Sequence, residues 1–255
     1  MDKDKYTDIN AKVVDHWVGK EWKWGIPITH EDYVKAQNGD WHVVLTPIKP
    51  VPKFWFPDLK GKKLLGLASG GGQQMPLFTA AGASCTVLDY SEKQLESERM
   101  VAAREKYDIE IVRADMTKKF PFEDSSFDII FHPVSNCYIE DVYHVWNECY
   151  RVLKKGGLLL AGMDNGLNYL IDEEDGTLPL KVANKLPFNP LKNEEQYKKL
   201  NEGEDGIQFS HSLEENIRGQ LKTGFILLDL YEDYNDEGLL KDYTPTFYAT
   251  LAEKP

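Results

Sequence analysis

The sequence predicts an α/β protein built on a doubly wound, seven-stranded, mostly parallel sheet, and three observations lead there. Short apolar runs at residues 64–68, 85–88, 109–112, 127–131 and 158–163 have the length and composition of strands buried on both faces. Helix-compatible segments at 73–81, 91–106 and 139–153 fall between them, and such alternation implies right-handed crossovers in a parallel sheet. Two further runs, 225–231 and 246–252, are joined by a long acidic turn and close the chain as an antiparallel pair.

The elements have local signals. The first sixty residues hold five of the six tryptophans (Trp17, Trp22, Trp24, Trp41, Trp55) and the prolines Pro47, Pro50, Pro52 and Pro57. This reads as an aromatic cap over residues 1–59, set before a domain at 60–255. Within it Thr29, with Asp32 three residues on, opens a short helix over 29–37, and the prolines then keep the chain extended as far as Lys60. Ser91 caps the second crossover helix, and Lys154-Lys155-Gly156-Gly157 reads as the basic end and glycine stop of the third. Residues 164–206 are rich in Asn, Asp, Glu, Gly and Pro, and so long a connection inside one domain reads as an inserted lid. Ser212 with Glu215 starts a last helix that Gly224 ends.

Composition narrows the function. Against 30 basic residues stand 42 acidic ones, a formal charge of -12, with Lys and Arg scattered among acids. That surface repels a phosphate backbone, so nucleic acid is not expected as a partner. Cys85, Cys137 and Cys149 lie far apart with no His at zinc-ligand spacing, so neither a disulfide framework nor a bound metal is expected. The start MDKDKYTDIN lacks the basic and apolar blocks of a signal peptide, and no apolar run reaches the roughly 20 residues of a membrane span. A cytoplasmic protein with no membrane partner, monomer or homodimer, is the expectation.

The candidate site starts at the glycine turn Gly70 to Gly72, directly behind the first apolar run. Glycines let the backbone approach a ligand, and the following helix aims its N-terminal amides at the same place. Asp89 closes the next run, where a carboxylate can accept hydrogen bonds from two ribose hydroxyls. On these residues alone a nicotinamide dinucleotide would suit as well, although Met75 stands where its fingerprint wants a third glycine.

Five strings in order carry a more specific resemblance: GLASGGG (66–72), VLDYS (87–91), RADM (113–116), FEDSSFDIIFHPVSN (122–136) and ECYRVLKKGGLLLAG (148–162). From Lys60 to the C-terminus the chain resembles the class I S-adenosylmethionine-dependent methyltransferases, in particular the ubiquinone and menaquinone biosynthetic group. The family's glycines match Gly70 and Gly72, whereas Gly66 stands in place of its strand-end acid and Ala68 in place of its first glycine.

The resemblance implies a Rossmann-like methyltransferase fold, S-adenosylmethionine as cofactor and a small-molecule methyl acceptor. It places Ala68, Ser69, Gly70, Gly72, Gln73 and Gln74 at the methionine end, with Ser69, Gln73 or Gln74 in place of the missing acid. Asp89 falls to the ribose, while Tyr90, Asp115 and Met116 fall to the adenine. His132 comes to the sheet edge beside the cofactor. His132 and Tyr138 are the catalytic candidates, the first to take a proton near neutral pH and the second to orient a substrate oxygen; a ring that merely packs is the plain alternative for His132. The tryptophans either cover the sheet as core or form a lid over the donor, and Trp22 and Trp24 are the expected acceptor-site residues. A non-catalytic S-adenosylmethionine-binding protein and a nicotinamide-dependent oxidoreductase stay open as alternatives.

Overall fold

The computed structural model describes residues 5–171 and 179–255. Ahead of the sheet come helices α1 (Tyr6–Gly19) and α2 (His30–Gln37). The sheet is then laid down as β1 (Lys63–Leu67), α3 (Gln74–Ala80), β2 (Ser84–Asp89), α4 (Glu92–Glu105), β3 (Glu110–Arg113), β4 (Phe127–His132), α5 (Val142–Val152) and β5 (Leu153–Asp164). Short helices α6 (Leu167–Leu170), α7 (Glu194–Glu202) and α8 (Gly219–Thr223) follow, with β6 (Ile226–Asp233) and β7 (Phe247–Glu253) closing the chain. The strand order is β3-β2-β1-β4-β5-β7-β6, with β7 antiparallel to both neighbours. The order reverses at β1/β4, so the C-terminal ends of β1, β2 and β4 face a crevice that a ligand can enter.

One apolar cluster on the first face joins Leu65, Ile130 and Leu159 of the sheet to Val145, Trp146 and Cys149 of α5. The cluster on the other face joins Leu64, Val87 and Phe131 to Met75 and Phe78 of α3, Leu95 of α4, and Val43, Leu45 and Trp55 of the leading segment. A third, smaller cluster ties Tyr6 of α1 to Tyr197, Ile207 and Phe209. Helix α1 therefore packs on residues 191–209, which follow β5 in the chain.

Three elements differ from expectation. Residues 6–19, part of the expected aromatic cap and given no helix there, form α1; its buried residues are only Tyr6, Asn10 and Ala11, too few for an apolar stripe. The third crossover helix ends at Val152 and the chain turns straight into β5, so Lys154–Gly157 is not a helix stop but the irregular start of a strand. There the register with β4 slips between Phe127 and Ile129, and Lys154 Nζ bonds Asp128 Oδ2 at 2.8 Å. The helix expected from Ser212 does begin with a reciprocal Ser212/Glu215 cap, yet its first turn, Glu214–Arg218, is π-wound before α8. Trp146 accounts for this: its Nε1 donates to the Glu215 carbonyl at 3.1 Å, and its ring fills the space a Cβ on Gly219 would take. Residues 164–206, expected as an inserted lid, contain α6, a bridge between Ile171 and Val182, and α7; residues 172–178 among them lie outside the described residues.

Candidate active site

The turn after β1 is held by backbone bonds and by contacts only glycine permits. Ala68 N donates to the Leu88 carbonyl at 2.7 Å, and Gly71 N to that of Gln94 at 2.9 Å. Gly71 and Gly72 have φ of +98° and +67°. A Cβ on Gly70 would lie 2.8 Å from Gln94 Cβ, and one on Gly72 2.7 Å from Val101 Cγ2. The turn therefore sits directly on α4. Gly72 itself lies beneath the site, its N–H donating to the buried Glu98 at 2.9 Å.

Asp89 ends β2 facing this turn. Its Oδ2 accepts from Gly70 N at 3.0 Å and its Oδ1 from Ser91 N at 2.9 Å. Burial pushes its carboxyl above the ordinary range, and the Ser91, Gly70 and Tyr90 amides pull against that shift. The missing family acid has a steric counterpart, because a Cβ on Gly66 would lie 2.5 Å from Met75 Sδ. The thioether of α3 occupies the space a strand-end carboxylate would need.

Helix α1 forms an outer wall across the β2 and β3 ends. Thr7 Oγ1 donates to Asp115 Oδ2 at 2.9 Å, Tyr90 Oη to Asp8 at 2.5 Å, and Ser91 Oγ to Asp15 at 2.6 Å. Between wall and sheet lies a cavity of ≈ 90 Å³, lined by Ala68, Asp89, Tyr90, Asp115, Met116 and Tyr138 among others. The resemblance's ribose and adenine residues thus share one small chamber closed by α1, an element sequence reasoning missed.

A cavity of ≈ 870 Å³ opens on the other side of the turn. Ala68, Ser69, Gly70, Gln73 and Gln74 form one end; Trp22, Trp24, Leu45 and Pro47 of the leading segment form a wall; Tyr138, Tyr169 and Phe188 face them. Gln73 fastens the tryptophan segment, its Nε2 donating to the Lys23 and Ile26 carbonyls at 2.8 Å each. Ser69 Oγ donates to Gln74 at 3.3 Å. The tryptophans divide: Trp22 and Trp24 line the cavity, Trp17 lies against Trp22 and Tyr138, and Trp41 and Trp55 pack in the core.

His132 lies elsewhere. It is fully buried, lines neither cavity, and packs edge-on against Trp146. Its Nδ1 bonds the Leu67 carbonyl at 3.0 Å, and its Nε2 lies 2.8 Å from the Asn136 carboxamide. A neutral ring donates only once, so Nε2 accepts. Asn136 Nδ2, otherwise buried without a partner, supplies that proton when the carboxamide is turned end for end. Burial lowers the His132 pKa, keeping the ring neutral at pH 7. Tyr138 is the better placed of the two catalytic candidates, lining both cavities.

Asp164 is a residue that sequence reasoning passed over. It ends β5, is 3 % exposed and lines the large cavity. Its Oδ1 accepts from Gly166 N at 2.9 Å, and burial pushes its carboxyl up to about 7. The usable signal was its position, one residue beyond an expected strand at the ligand-binding edge of the sheet.

A half-fold of this order, with a glycine turn and a strand-end acid at the switch point, defines a nucleoside-cofactor enzyme of the α/β class. Comparisons with known proteins narrow the class. Residues 65–161 match the methyltransferase domain family. Over 250 residues the chain is 42 % identical to "Uncharacterized methyltransferase YbaJ" of Bacillus subtilis, covering 96 % of this chain and 97 % of that protein. It is 28 % identical to the demethylmenaquinone methyltransferase of Lactococcus lactis, over 78 % of this chain and 77 % of that one. In fold it matches an S-adenosylmethionine-dependent methyltransferase from Mesorhizobium loti with a TM-score of 0.61 at 20 % identity, covering 79 % and 94 % of the two chains. The chain belongs to the class I S-adenosylmethionine-dependent methyltransferases.

The residues present fit this cofactor: Asp89 is a carboxylate able to accept from a diol, Met116 flanks an apolar slot, and the glycines form a cradle. Gln94 Oε1, buried beside Gly71 without a hydrogen-bond partner, leaves an acceptor at that cradle for an N–H donor.

Proposed function

We propose that the enzyme methylates a small molecule bound in the ≈ 870 Å³ cavity, with the adenosine half of the cofactor against Asp89 and Asp115. The observation that carries this reading is a shared wall: Ala68 and Tyr138 line both chambers, and the larger has the size and partly apolar lining of a metabolite site. Asp89 takes the ribose hydroxyls, Tyr90 and Met116 flank the adenine, and Asp115 accepts from its amino group once Thr7 yields. Ser69, Gly70, Gln73, Gln74 and Gln94 Oε1 hold the methionine end, and Gly72 shapes the turn from beneath.

S-adenosylmethionine supplies an electrophilic methyl group carried on a sulfonium. The protein's part is to orient an acceptor in line, exclude water and leave its nucleophilic atom unprotonated. Trp22, Trp24 and Tyr138 form the acceptor wall, their ring faces suiting a site of positive charge. His132 acts through others as a neutral strut between Leu67 and Asn136 and holds the β1 and β4 ends together.

The test is a thermal-shift panel followed by a screen of fractionated metabolites read by S-adenosylhomocysteine release. Both sulfur nucleosides should raise the Tm and NAD and NADP should not, since only a ligand of the native state stabilises it. Methyl transfer confined to protein or nucleic-acid fractions would sink the reading.

A further inference from the structure

Asp164 sets a chemical requirement on whatever fills the large cavity. It is buried at the end of β5, and its bonds come from backbone N–H groups, Gly166's at 2.9 Å among them. Among the described residues no Lys, Arg or His pairs with it. The titratable groups that face it are Cys137, Tyr138, Tyr169 and Tyr248. Burial raises all four above their ordinary values, so they are neutral near pH 7. A carboxylate so enclosed is costly unless a cation or a strong donor meets it.

Among the described residues the cavity is lined by two cations, Lys23 and Lys199, and neither acts on the Asp164 carboxyl. Lys23, on the tryptophan wall, is bound to Asp236 and Glu237 at 2.8 and 3.1 Å. Lys199 lies on the insertion wall with a partner of its own. Asp205 and Glu237 add further acid to the lining. Trp22, Trp24, Tyr138 and Tyr169 supply the ring faces that stabilise a positive charge.

Resting on the cavity being the acceptor site, we propose that Asp164 is the anchor for a protonated amine, and that the methyl acceptor is a primary or secondary amine on an aromatic or apolar body. The ammonium seats on the free face of the carboxylate with the body against the tryptophan wall. One N–H bond breaks as an O–H bond forms on Asp164, giving a neutral amine with a free lone pair beside a neutral carboxylic acid. Charge and protons balance within the pair, and a carboxyl at about 7 is suited to take that proton and later lose it.

The test uses full-length protein saturated with S-adenosylhomocysteine and three probes of one shape: tyramine, neutral para-ethylphenol and anionic para-hydroxyphenylpropionate. Calorimetry should find tyramine bound at least about tenfold more tightly than either of the others, the size of one buried charge contact. Asp164→Asn should remove that preference while changing S-adenosylhomocysteine affinity less than about twofold, because Asp164 hydrogen-bonds to Gly166 and not to any residue placed against the cofactor. A measurement on wild-type protein guards against a folding defect: the tyramine preference should grow from roughly pH 5 to about pH 8, as the carboxyl ionises. Equal binding of the three probes, a preference intact in Asp164→Asn, or a preference independent of pH overturns the proposal. Failure of S-adenosylhomocysteine to bind wild-type protein would instead overturn the assignment of the site.

Discussion

The two chambers that meet at Ala68 are built in opposite ways. The smaller is lined chiefly by the ends of β1, β2 and β3, at Ala68, 88–91 and 114–116, where Asp89 and its backbone partners lie, and is closed by α1 and residues 135–139. The larger shares the glycine turn at 68–74 and Gln94, and adds segments around 22–24, 44–47, 133–138, 164–171, 183–208 and 235–247. Local chemistry leaves a local signature that can be recognised at fixed spacing, whereas walls drawn from segments spread between residues 22 and 247 leave none. The same contrast separates what binds a common cofactor from what selects a particular acceptor.

Two buried carboxyls, Glu98 and Asp164, are pushed up to about 7, and their substitutions tell their roles apart. Glu98 lies beneath the glycine turn, accepting from Gly72 N and Tyr107 Oη, and burial pushes it up to about 7. Asp164 reaches about 7 with the large cavity on one side. Both folded-state values lie above those of the unfolded chain, so the unfolded state releases its protons first. Each group therefore destabilises the fold as pH rises from about 4 to about 7, by up to about 3 to 4 kcal/mol apiece, and the loss levels off above about pH 7. Urea unfolding at acid and at mildly alkaline pH should show Asp164→Asn gaining stability over wild type at the higher pH only. Glu98→Gln should gain less, since it keeps a donor-rich setting. Equal gains would erase the difference between a carboxyl that only supports a turn and one aimed at a ligand.

The next largest effect concerns the family acid that is absent. Gly66→Asp should cost roughly 3 kcal/mol, because its side chain meets the Met75 thioether and brings an unpaired charge into the sheet. Met75→Ala in the same chain should return part of that loss by opening the space. A double variant no more stable than Gly66→Asp alone would show that the two positions are not coupled.

How much was legible follows the same division. The five parallel strands, the closing antiparallel pair and the turn Gly70 to Gly72 are readable because apolar runs and glycines act locally. Helix α1 was not, since Thr7, Asp8, Asn10 and Asp15 attach it through polar contacts to Asp115, Tyr90, Ile207 and Ser91, which hydrophobic periodicity does not register. His132 was legible as a sheet-edge residue, but not the two partners that occupy its ring. Asp164 was hidden by a boundary: a strand ending at Met163 leaves it to the loop.

Asp89→Ala should weaken S-adenosylhomocysteine binding by roughly 1.5 to 3 kcal/mol, the worth of hydrogen bonds to a charged acceptor. It also frees the Gly70 and Ser91 amides, so the loss should appear in both the adenosine and the methionine halves of the ligand. Adenosine alone, titrated by calorimetry into both proteins, separates these. If adenosine loses as much as the whole nucleoside, the carboxylate acts on the ribose and the turn keeps its shape without it.

The smallest effect is expected where the two chambers join. Ala68 has φ +48°, a left-handed conformation in which its Cβ crowds the backbone, at the place where the resembled family has glycine. Ala68→Gly relieves roughly 1 to 2 kcal/mol of that strain but gives the unfolded chain more freedom, worth about 0.5 to 1 kcal/mol. A net gain of a few tenths of a kcal/mol should follow, read as a small rise in urea midpoint at unchanged m-value. A clear loss of stability would mean that the methyl group contributes packing between β1 and the first apolar cluster, against which it lies, and that the strain is retained for that contact. Cofactor affinity measured on the same variant then decides whether the alanine is tolerated or used. If affinity falls while stability rises, Ala68 holds the turn in the shape that both chambers share.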